Sequence, residues 1–301
     1  MHDLILNQSH SPLVSIVMPT YNHAKYLAIS VQSVLDQTFT NWELIIVDNF
    51  STDNTLEVLS KFSDRRIKLF QINNEGCIAK SRNLAIKSAQ SEWLAFLDSD
   101  DSWAPNKLEV IRGHLNHEVD FLYHNLKVVD ADMRELKSME IRSRKLNSPI
   151  VKDLVLNGNT IATSSVVVRR NIILNIGGMS EETDLIGIED YNTWLRISVI
   201  SEKFKWVPLF LGSYRKHNSN HSTFENFRPP LAAIEEFFHL LSPVEIAQLY
   251  KSFEYLKVRT KFLNKNFETL RVELLSVIRS GSYIQKLKAL SMLTVMLVTL
   301  K

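Results

Sequence analysis

Short apolar runs closed by polar clusters alternate, over the first hundred residues, with stretches whose apolar positions recur three and four apart. Val14–Met18, Glu43–Val47, Ile67–Ile72 and Trp93–Leu97 have the length and apolar content of buried strands. Between them, Leu27, Val31, Val34 and Leu35, then Leu56 and Leu59, then Ile78, Arg82, Ala85 and Ile86, fall at helical spacing. Asn22 is positioned to cap the first helix, and Thr52 or Asp53 the second. Strand and helix alternating at this pace predict an α/β fold with a Rossmann-like, mostly parallel sheet flanked by helices.

In such sheets ligands sit beyond the carboxyl ends of the strands. Three strands end there in polar signals: Thr20-Tyr21-Asn22, Asp48-Asn49 and Asp98-Ser99-Asp100-Asp101. The last puts three carboxylates in four residues, which repel and raise one another's pKa unless a cation joins them. Two readings stay open on this stretch alone. One is an acidic turn with an Asp capping the helix that begins after Pro105; the other is a site for Mg²⁺ or Mn²⁺, which prefer oxygen ligands.

Beyond residue 105 the pattern loosens. Lys107–Leu115 reads as a helix, Phe121–Tyr123, Leu126–Val129 and Ser164–Val168 as strands, and Ser138–Ser148 as a basic mobile loop. Asn171 opens a short helix that Gly177-Gly178 closes. Tyr191, Trp194, Leu195 and Ser198 lie at i, i+3, i+4 and i+7, so a helix starts near Glu189 with Glu189 and Asp190 in its first turn. Acids there also suit the helix dipole without any further role.

The 301 residues carry a net charge of +2 with 45% hydrophobic and 23% charged residues, an ordinary globular balance with no basic arm for nucleic acid. The single cysteine, Cys77, excludes an internal disulfide framework and fits a reducing compartment. The first ten residues lack a basic n-region and a long apolar stretch, so no leader is expected and the location is cytoplasmic. With eight glycines there is neither G-x-G-x-x-G nor a P-loop, though clustered carboxylates could still hold a diphosphate through a bridging metal.

V-S-I-V-M-P-T-Y-N at 14–22, S-V-L-D-Q-T-F at 33–39, the E-L-I-I-V-D-N-F-S-T-D-N-T run at 43–55, N-E-G at 74–76, S-R-N-L-A-I at 81–86 and W-L-A-F-L-D-S-D-D at 93–101 together resemble family 2 glycosyltransferases of the GT-A fold. The likeness is dense to about residue 105 and continues, more weakly, to about 220. It implies an inverting, metal-dependent transferase of the hexosyltransferase type, moving a sugar from a nucleotide-sugar, UDP-linked by the family's habit. The implied acceptor is a saccharide or a lipid-linked glycan of surface polysaccharide (lipopolysaccharide, O-antigen or capsule).

The resemblance further implies Asp101 as metal ligand, Asp100 on the ribose and metal, and Asp98 in support, with Mn²⁺ or Mg²⁺ bound. The motif reads equally as D-x-D or as the Asp100-Asp101 pair. Asp48 and Asn49 stand at the base-recognition pair, usually two aspartates. An amide donates as well as accepts, so Asn49 loosens the inference of uracil. Pro19, Tyr21 and Arg82 resemble further walls of the donor pocket, though Pro19 also ends a strand and Arg82 also suits an ion pair. Asp190 is implied as catalytic base with Glu189 beside it. The Tyr214-Arg215-Lys216-His217 segment is implied to close as a lid, with His217 on the metal or diphosphate and Arg215 helping. A zinc pair of His217 and His221 needs a helix, which Asn218, Ser219 and Asn220 disfavour. A nucleotidyltransferase would show a Gly-rich basic loop after the first strand, and Pro19–His23 is not one; a donor-binding protein without activity is the other alternative.

These readings divide the chain into a catalytic domain over 1–222, its nucleotide half about 12–105 and acceptor half about 106–222, and a helical region over 223–301. Ile246, Leu249, Tyr250 and Phe253 mark one helix there and Phe262–Ile278 another. Ala289–Leu300 is apolar all round, and twelve helical residues reach about 18 Å against a hydrocarbon core of about 30 Å. It therefore does not cross a bilayer. With Lys286, Lys288 and Lys301 around it, 286–301 either rests on the inner face of the membrane, packs in the protein or forms a homodimer contact.

Overall fold

The computed structural model describes residues 11–217, 231–267 and 269–299. Residues 1–10, His221 and Lys301, on which the leader, zinc-pair and flanking-charge expectations rest, lie outside them. The chain divides into two compact units, Met1–Leu154 with Gly158–Asn218 and Val155–Asn157 with Ser219–Lys301.

In the first unit β1 (Val14–Thr20), α1 (Ala24–Leu35), β2 (Trp42–Asp48), α2 (Thr55–Ser60), β3 (Ile67–Gln71), α3 (Ile78–Ser88) and β4 (Trp93–Phe96) follow the expected alternation. The chain continues through β5 (Ser102–Trp103), α4 (Lys107–Arg112), β6 (Phe121–Val129), β7 (Glu135–Ile141), α5 (Ile150–Asn157), β8 (Val167–Arg169), α6 (Arg170–Asn175), α7 (Glu189–Ile200) and β9 (Phe204–Arg215). The sheet order is β3-β2-β1-β4-β8-β6-β9-β5, with β7 paired to β6. β1 to β4 are mutually parallel, β8 runs antiparallel to both β4 and β6, and β9 is parallel to β6. Both faces of the central strands are covered, so β1, β2 and β4 are buried along their whole length and read as unbroken apolar runs. Their register sets Thr20 opposite Asp48, and Val17 opposite Phe96. The polar ends of the three strands therefore share one edge.

Several elements differ from expectation. Phe121–Val129 is one strand rather than two, because register shifts around Asn125 let it keep pairing with β9 past the polar His124-Asn125 step. The first four residues of the expected basic loop belong to β7: Leu136, Met139 and Ile141 turn partly inward while the charges between them face out. Thr163–Ser165 forms a 3₁₀ turn, so β8 starts only at Val167. Leu211–Arg215 is the end of a long strand, not part of a lid. His23 rather than Asn22 precedes α1, and Asp53 Oδ2 accepts the hydrogen bond of the Ala24 amide.

α7 is buried over most of its length, with Trp194 edge-on to Phe96 at 5.8 Å and to Phe121 at 4.9 Å between ring centroids. The Tyr191 hydroxyl donates to the Leu154 carbonyl at 2.6 Å. These contacts fix the first turn of α7, and with it Glu189 and Asp190, against the sheet.

The second unit contains α8 (Leu231–Ile234), a 3₁₀ turn at Glu235–Leu240, α9 (Pro243–Leu263), α10 (Leu270–Ser280) and α11 (Tyr283–Thr299). Ser242 and Glu245 form a capping box at the start of α9. The helix expected over Phe262–Ile278 is broken: Lys265 adopts φ +54°, and the chain reverses so that Val258, Leu270, Leu274, Val277, Ala289 and Met296 close one small core. α11 has 17 residues, about 25 Å of rise, and no described helix is long and apolar enough to cross a membrane.

Removing the aromatic contact that seats α7 should unfold the unit readily. Trp194→Ala is expected to cost about 3–5 kcal/mol, read as a lowered urea midpoint with an unchanged slope.

Candidate active site

At the carboxyl edge the turns after β1 and β2 are bound to each other. Asn22, at φ +51°, accepts from the Thr52 amide at 2.7 Å, and its own amide donates to Ser51 Oγ at 2.9 Å. Asp48 is fully buried and accepts from Ser51 Oγ at 2.5 Å and Gln71 Nε2 at 3.0 Å. Asn49 Oδ1 accepts from the Asn74 amide at 2.8 Å. Both expected base-recognition residues thus brace the floor of this edge. Pro19 is buried within β1, and Tyr21 stands 51% exposed beside it.

The acidic stretch after β4 is held from all sides. The Asp98 amide donates to Ser164 Oγ at 3.0 Å, and Ser30 Oγ reaches the carbonyls of Ser99 and Asp101 at 2.8 and 2.6 Å. His23 Nδ1 meets Ser99 Oγ at 2.8 Å. The three carboxylates then separate by environment. Asp98 is the most open and pairs with Arg82 at 2.7 Å. Asp100 meets His217 Nε2 at 2.9 Å, and Tyr26 stacks on that imidazole at 4.5 Å. Asp101, 3% exposed, turns into the protein and accepts the Arg215 amide at 2.9 Å.

Their protonation follows. Burial, then the charges of Asp100 and Asp98, push Asp101 well above the ordinary carboxylate range. Burial also pushes Asp100 up, but the His217 hydrogen bond and the nearby His23 outweigh it, and its pKa is lowered. Behind Asp101 lies Lys107, fully buried, its ammonium on the Ser164 carbonyl at 3.1 Å and over the Trp103 ring at 3.4 Å. Burial lowers its pKa well below the usual lysine range, against the pull of Asp101.

Arg82 joins this loop to α7. Its side chain is buried and forks to Asp98 Oδ1 and Glu189 Oε1, each at 2.7 Å. The expected donor-wall arginine is therefore an ion-pair bridge. Glu189 also accepts from the Gly187 amide at 2.7 Å, where the chain turns at φ +87°, a conformation glycine adopts freely. Next to it, Asp190 accepts from Thr163 Oγ1 at 2.7 Å and from the Tyr191 amide at 2.6 Å. Burial and the charge of Glu189 raise Asp190, a half-buried residue, to about 6.

The edge therefore gathers Asp98, Arg82, Glu189 and Asp190 into one wall and Asp100, Asp101, Arg215 and His217 into another. Sequence reasoning missed His23, Tyr26, Lys107 and the Thr163–Ser164 turn. The signal for the turn was three successive small hydroxyl-bearing residues, Thr163-Ser164-Ser165, before an apolar run, read instead as the start of a strand. Among the described residues no three His, Cys, Asp or Glu side chains converge as a closed metal cage. Mg²⁺ and Mn²⁺ do not need one, since one or two protein ligands together with substrate phosphates suffice. A carboxylate and an imidazole, Asp100 and His217, lie together on this edge and are the residues that could hold such an ion.

Against known proteins, the family model for glycosyl transferase family 2 matches residues 15–177. The Escherichia coli UDP-Glc:alpha-D-GlcNAc-diphosphoundecaprenol beta-1,3-glucosyltransferase WfgD is 44% identical over 119 residues, 39% of this chain and 47% of that protein. WfaP of the same species, with the same described activity, is 32% identical over 207 residues, 68% of this chain and 78% of that one. This chain thus spans about half of WfgD and more than two thirds of WfaP. The S. aureus TarS 1-349 structure in complex with UDP superposes with a TM-score of 0.59 at 21% identity, covering 91% of this chain and 76% of that one, a likeness of GT-A fold. A family model over more than half the chain, and a relative matched over most of its length, agree with the acidic edge: the chain belongs to glycosyl transferase family 2.

Proposed function

We propose that the chain is an inverting glycosyltransferase that moves a hexose from a UDP-sugar to a lipid-linked glycan in surface polysaccharide assembly. The observation that carries this reading is the Arg82 bridge, which holds the acidic loop and the first turn of α7 as two sides of one cleft edge. WfgD and WfaP, by their descriptions, use UDP-glucose and a diphosphoundecaprenol-linked GlcNAc, which supports the donor and acceptor classes. Residues 1–222 form the catalytic domain in this reading and 223–301 a helical region. Within it α11 carries no acidic residue, and Tyr283, Ile284, Leu287 and Leu290 are exposed alongside Lys286 and Lys288. That chemistry suits a peripheral seat on an anionic membrane, where lipid-linked acceptors reside.

In the reaction, Asp190 takes the proton of the acceptor hydroxyl as its oxygen bonds to the anomeric carbon. The bond from that carbon to the diphosphate breaks on the opposite face, so configuration inverts and UDP leaves with the electron pair. Glu189, neutralised by Arg82, keeps the first turn of α7 in place without adding uncompensated charge. Asp98 orients the ribose, with Pro19, Tyr21, Asp48 and Asn49 around the base; Arg215, buried against Met133 and the Tyr26 ring, supports the Asp100–His217 pair from within the protein. Asp100 and His217 would hold Mn²⁺ or Mg²⁺, which when bound supplies positive charge to the departing diphosphate. This assigns the metal to Asp100 rather than Asp101, because Asp101 is turned inward onto the Arg215 amide.

Two measurements test the assignment. In a thermal-shift titration with UDP, Asp100→Asn and His217→Ala should each lose the Mn²⁺-dependent part of the stabilisation. Survival of that dependence in Asp100→Asn, with its loss in Asp101→Asn, would return the ligand role to Asp101. For the base, Asp190→Asn should lower kcat by about 10²–10⁴-fold with UDP affinity kept. Because the ionised form is the active one, wild-type kcat/KM should rise with pH through a midpoint near Asp190's pKa of about 6. A flat profile between pH 5 and 7, which spans that midpoint, would refute the role.

A further inference from the structure

We propose that Thr163 is the positioning residue of the reaction: its hydroxyl aims the Asp190 carboxylate and holds it in the proton-accepting form. The proposal rests on Asp190 being the base. Thr163 lies in the turn Thr163–Ser165, with the Ser165 amide closing on the Ala162 carbonyl at 2.9 Å and the Val166 amide on the Thr163 carbonyl at 3.0 Å. The hydroxyl donates to Asp190 Oδ2 at 2.7 Å. The only other hydrogen bond to that carboxylate among the described residues comes from its neighbouring Tyr191 amide, a contact within α7 that cannot relate the base to the rest of the site. Thr163 therefore supplies the external reference for the carboxylate plane.

What makes the reference rigid is the next residue. Ser164 accepts from the Asp98 amide through Oγ, and its carbonyl accepts from Trp103 Nε1 at 2.9 Å and Lys107 Nζ at 3.1 Å. Two consecutive side chains of one turn thus touch the base on one side and the acidic donor loop on the other. The distance between proton acceptor and leaving group is set through covalent neighbours rather than through a flexible loop.

The charged groups facing Asp190 are Glu189 on its own helix and Arg82 from α3; Thr163 adds the neutral donor from the turn. Burial and Glu189 favour the protonated form, while Thr163, Arg82 and the Tyr191 amide oppose it. Loss of a hydrogen bond to an ionised group corresponds to a rise of about one pH unit in this balance.

The test uses the full chain with Mn²⁺ and UDP-glucose, following UDP release with water as acceptor from pH 5 to 9. Thr163→Val should move the acid limb up by about one unit, so that it is about five-fold slower than wild type at pH 6 and close to wild type at pH 8. Thr163→Ser keeps the donor and should restore the wild-type limb, and UDP affinity should be unchanged in both. A Thr163→Val loss that is equal at every pH, or a Thr163→Ser profile displaced as far as that of Thr163→Val, would assign the effect to packing and overturn the proposal. A carboxylate ¹³C NMR titration, with Asp190→Asn identifying the resonance, reads the same shift without turnover, so an unmoved resonance in Thr163→Val overturns it as well. Asp190→Asn at wild-type speed would instead remove the base assignment, a result distinct from a dead Asp190→Asn with an unshifted Thr163→Val.

Discussion

The arrangement of this site depends on one buried guanidinium. Arg82 has Asp98 on one arm and Glu189 on the other, residues 91 positions apart that belong to a strand end and a helix start. A buried charge is costly to desolvate, and an ion triad of this kind contributes little net stability compared with well-packed apolar residues. Breaking it is another matter, because removing the cation leaves two carboxylates facing each other without compensation, typically a loss of about 3–5 kcal/mol. Burial alone would lower the arginine's pKa; the charges of Asp98 and Glu189 outweigh it and raise it instead. The guanidinium therefore stays charged, and its planar fork gives the triad a direction. Lysine would not replace it, since one ammonium lacks the planar fork that reaches both partners.

A second tie runs parallel to the first. The Thr163–Ser164 turn joins Asp190 to the backbone of the acidic loop by neutral donors, whereas Arg82 joins Glu189 to Asp98 by charge. Adjacent acids on α7 are thus anchored to the same loop by different chemistry. The consequence is a division of protonation. Glu189 shares the Arg82 charge with Asp98, and Asp190 has hydrogen-bond donors and no ion pair of its own. A carboxylate raised to about 6 is near the optimum for removing a proton at neutral pH.

Most of this edge was legible in the sequence because parallel strands buried on both faces must be apolar throughout, which makes the polar residues at their ends conspicuous. Asp48, Asp98–Asp101 and Glu189-Asp190 were found that way or by family likeness, and the structure brings the acidic loop and α7 together. Four things were not legible. β7 was hidden because Leu136, Met139 and Ile141 are interrupted by charges that happen to point outward. Asn22 looked like a local cap, but its side chain bonds the turn 30 residues later, a partner no local pattern names. For Arg82 the helix periodicity showed which face is inward and allowed an ion pair, but it could not name Asp98 and Glu189 as the partners. The break between α9 and α10 was missed since Asn264-Lys265-Asn266 carries neither glycine nor proline, and Lys265 takes the left-handed conformation in their place.

The sequence also left the three carboxylates of the acidic stretch equivalent, and burial is what separates them. Asp101 is enclosed beneath the loop, bonded to a strand amide and backed by Lys107, so its oxygens are committed to holding β9 against the motif. Asp98 is committed to Arg82 but retains an open edge. Asp100 is the one whose partner, His217, is itself a metal-type donor, and whose imidazole is fixed by the Tyr26 ring. An inward carboxylate that orders the loop, an outward one held by Arg82 and a third paired with an imidazole amount to three distinct environments. Four successive residues can occupy them only because the turn from Asp98 to Asp101, closed by a 3.0 Å backbone hydrogen bond, points each side chain in a different direction.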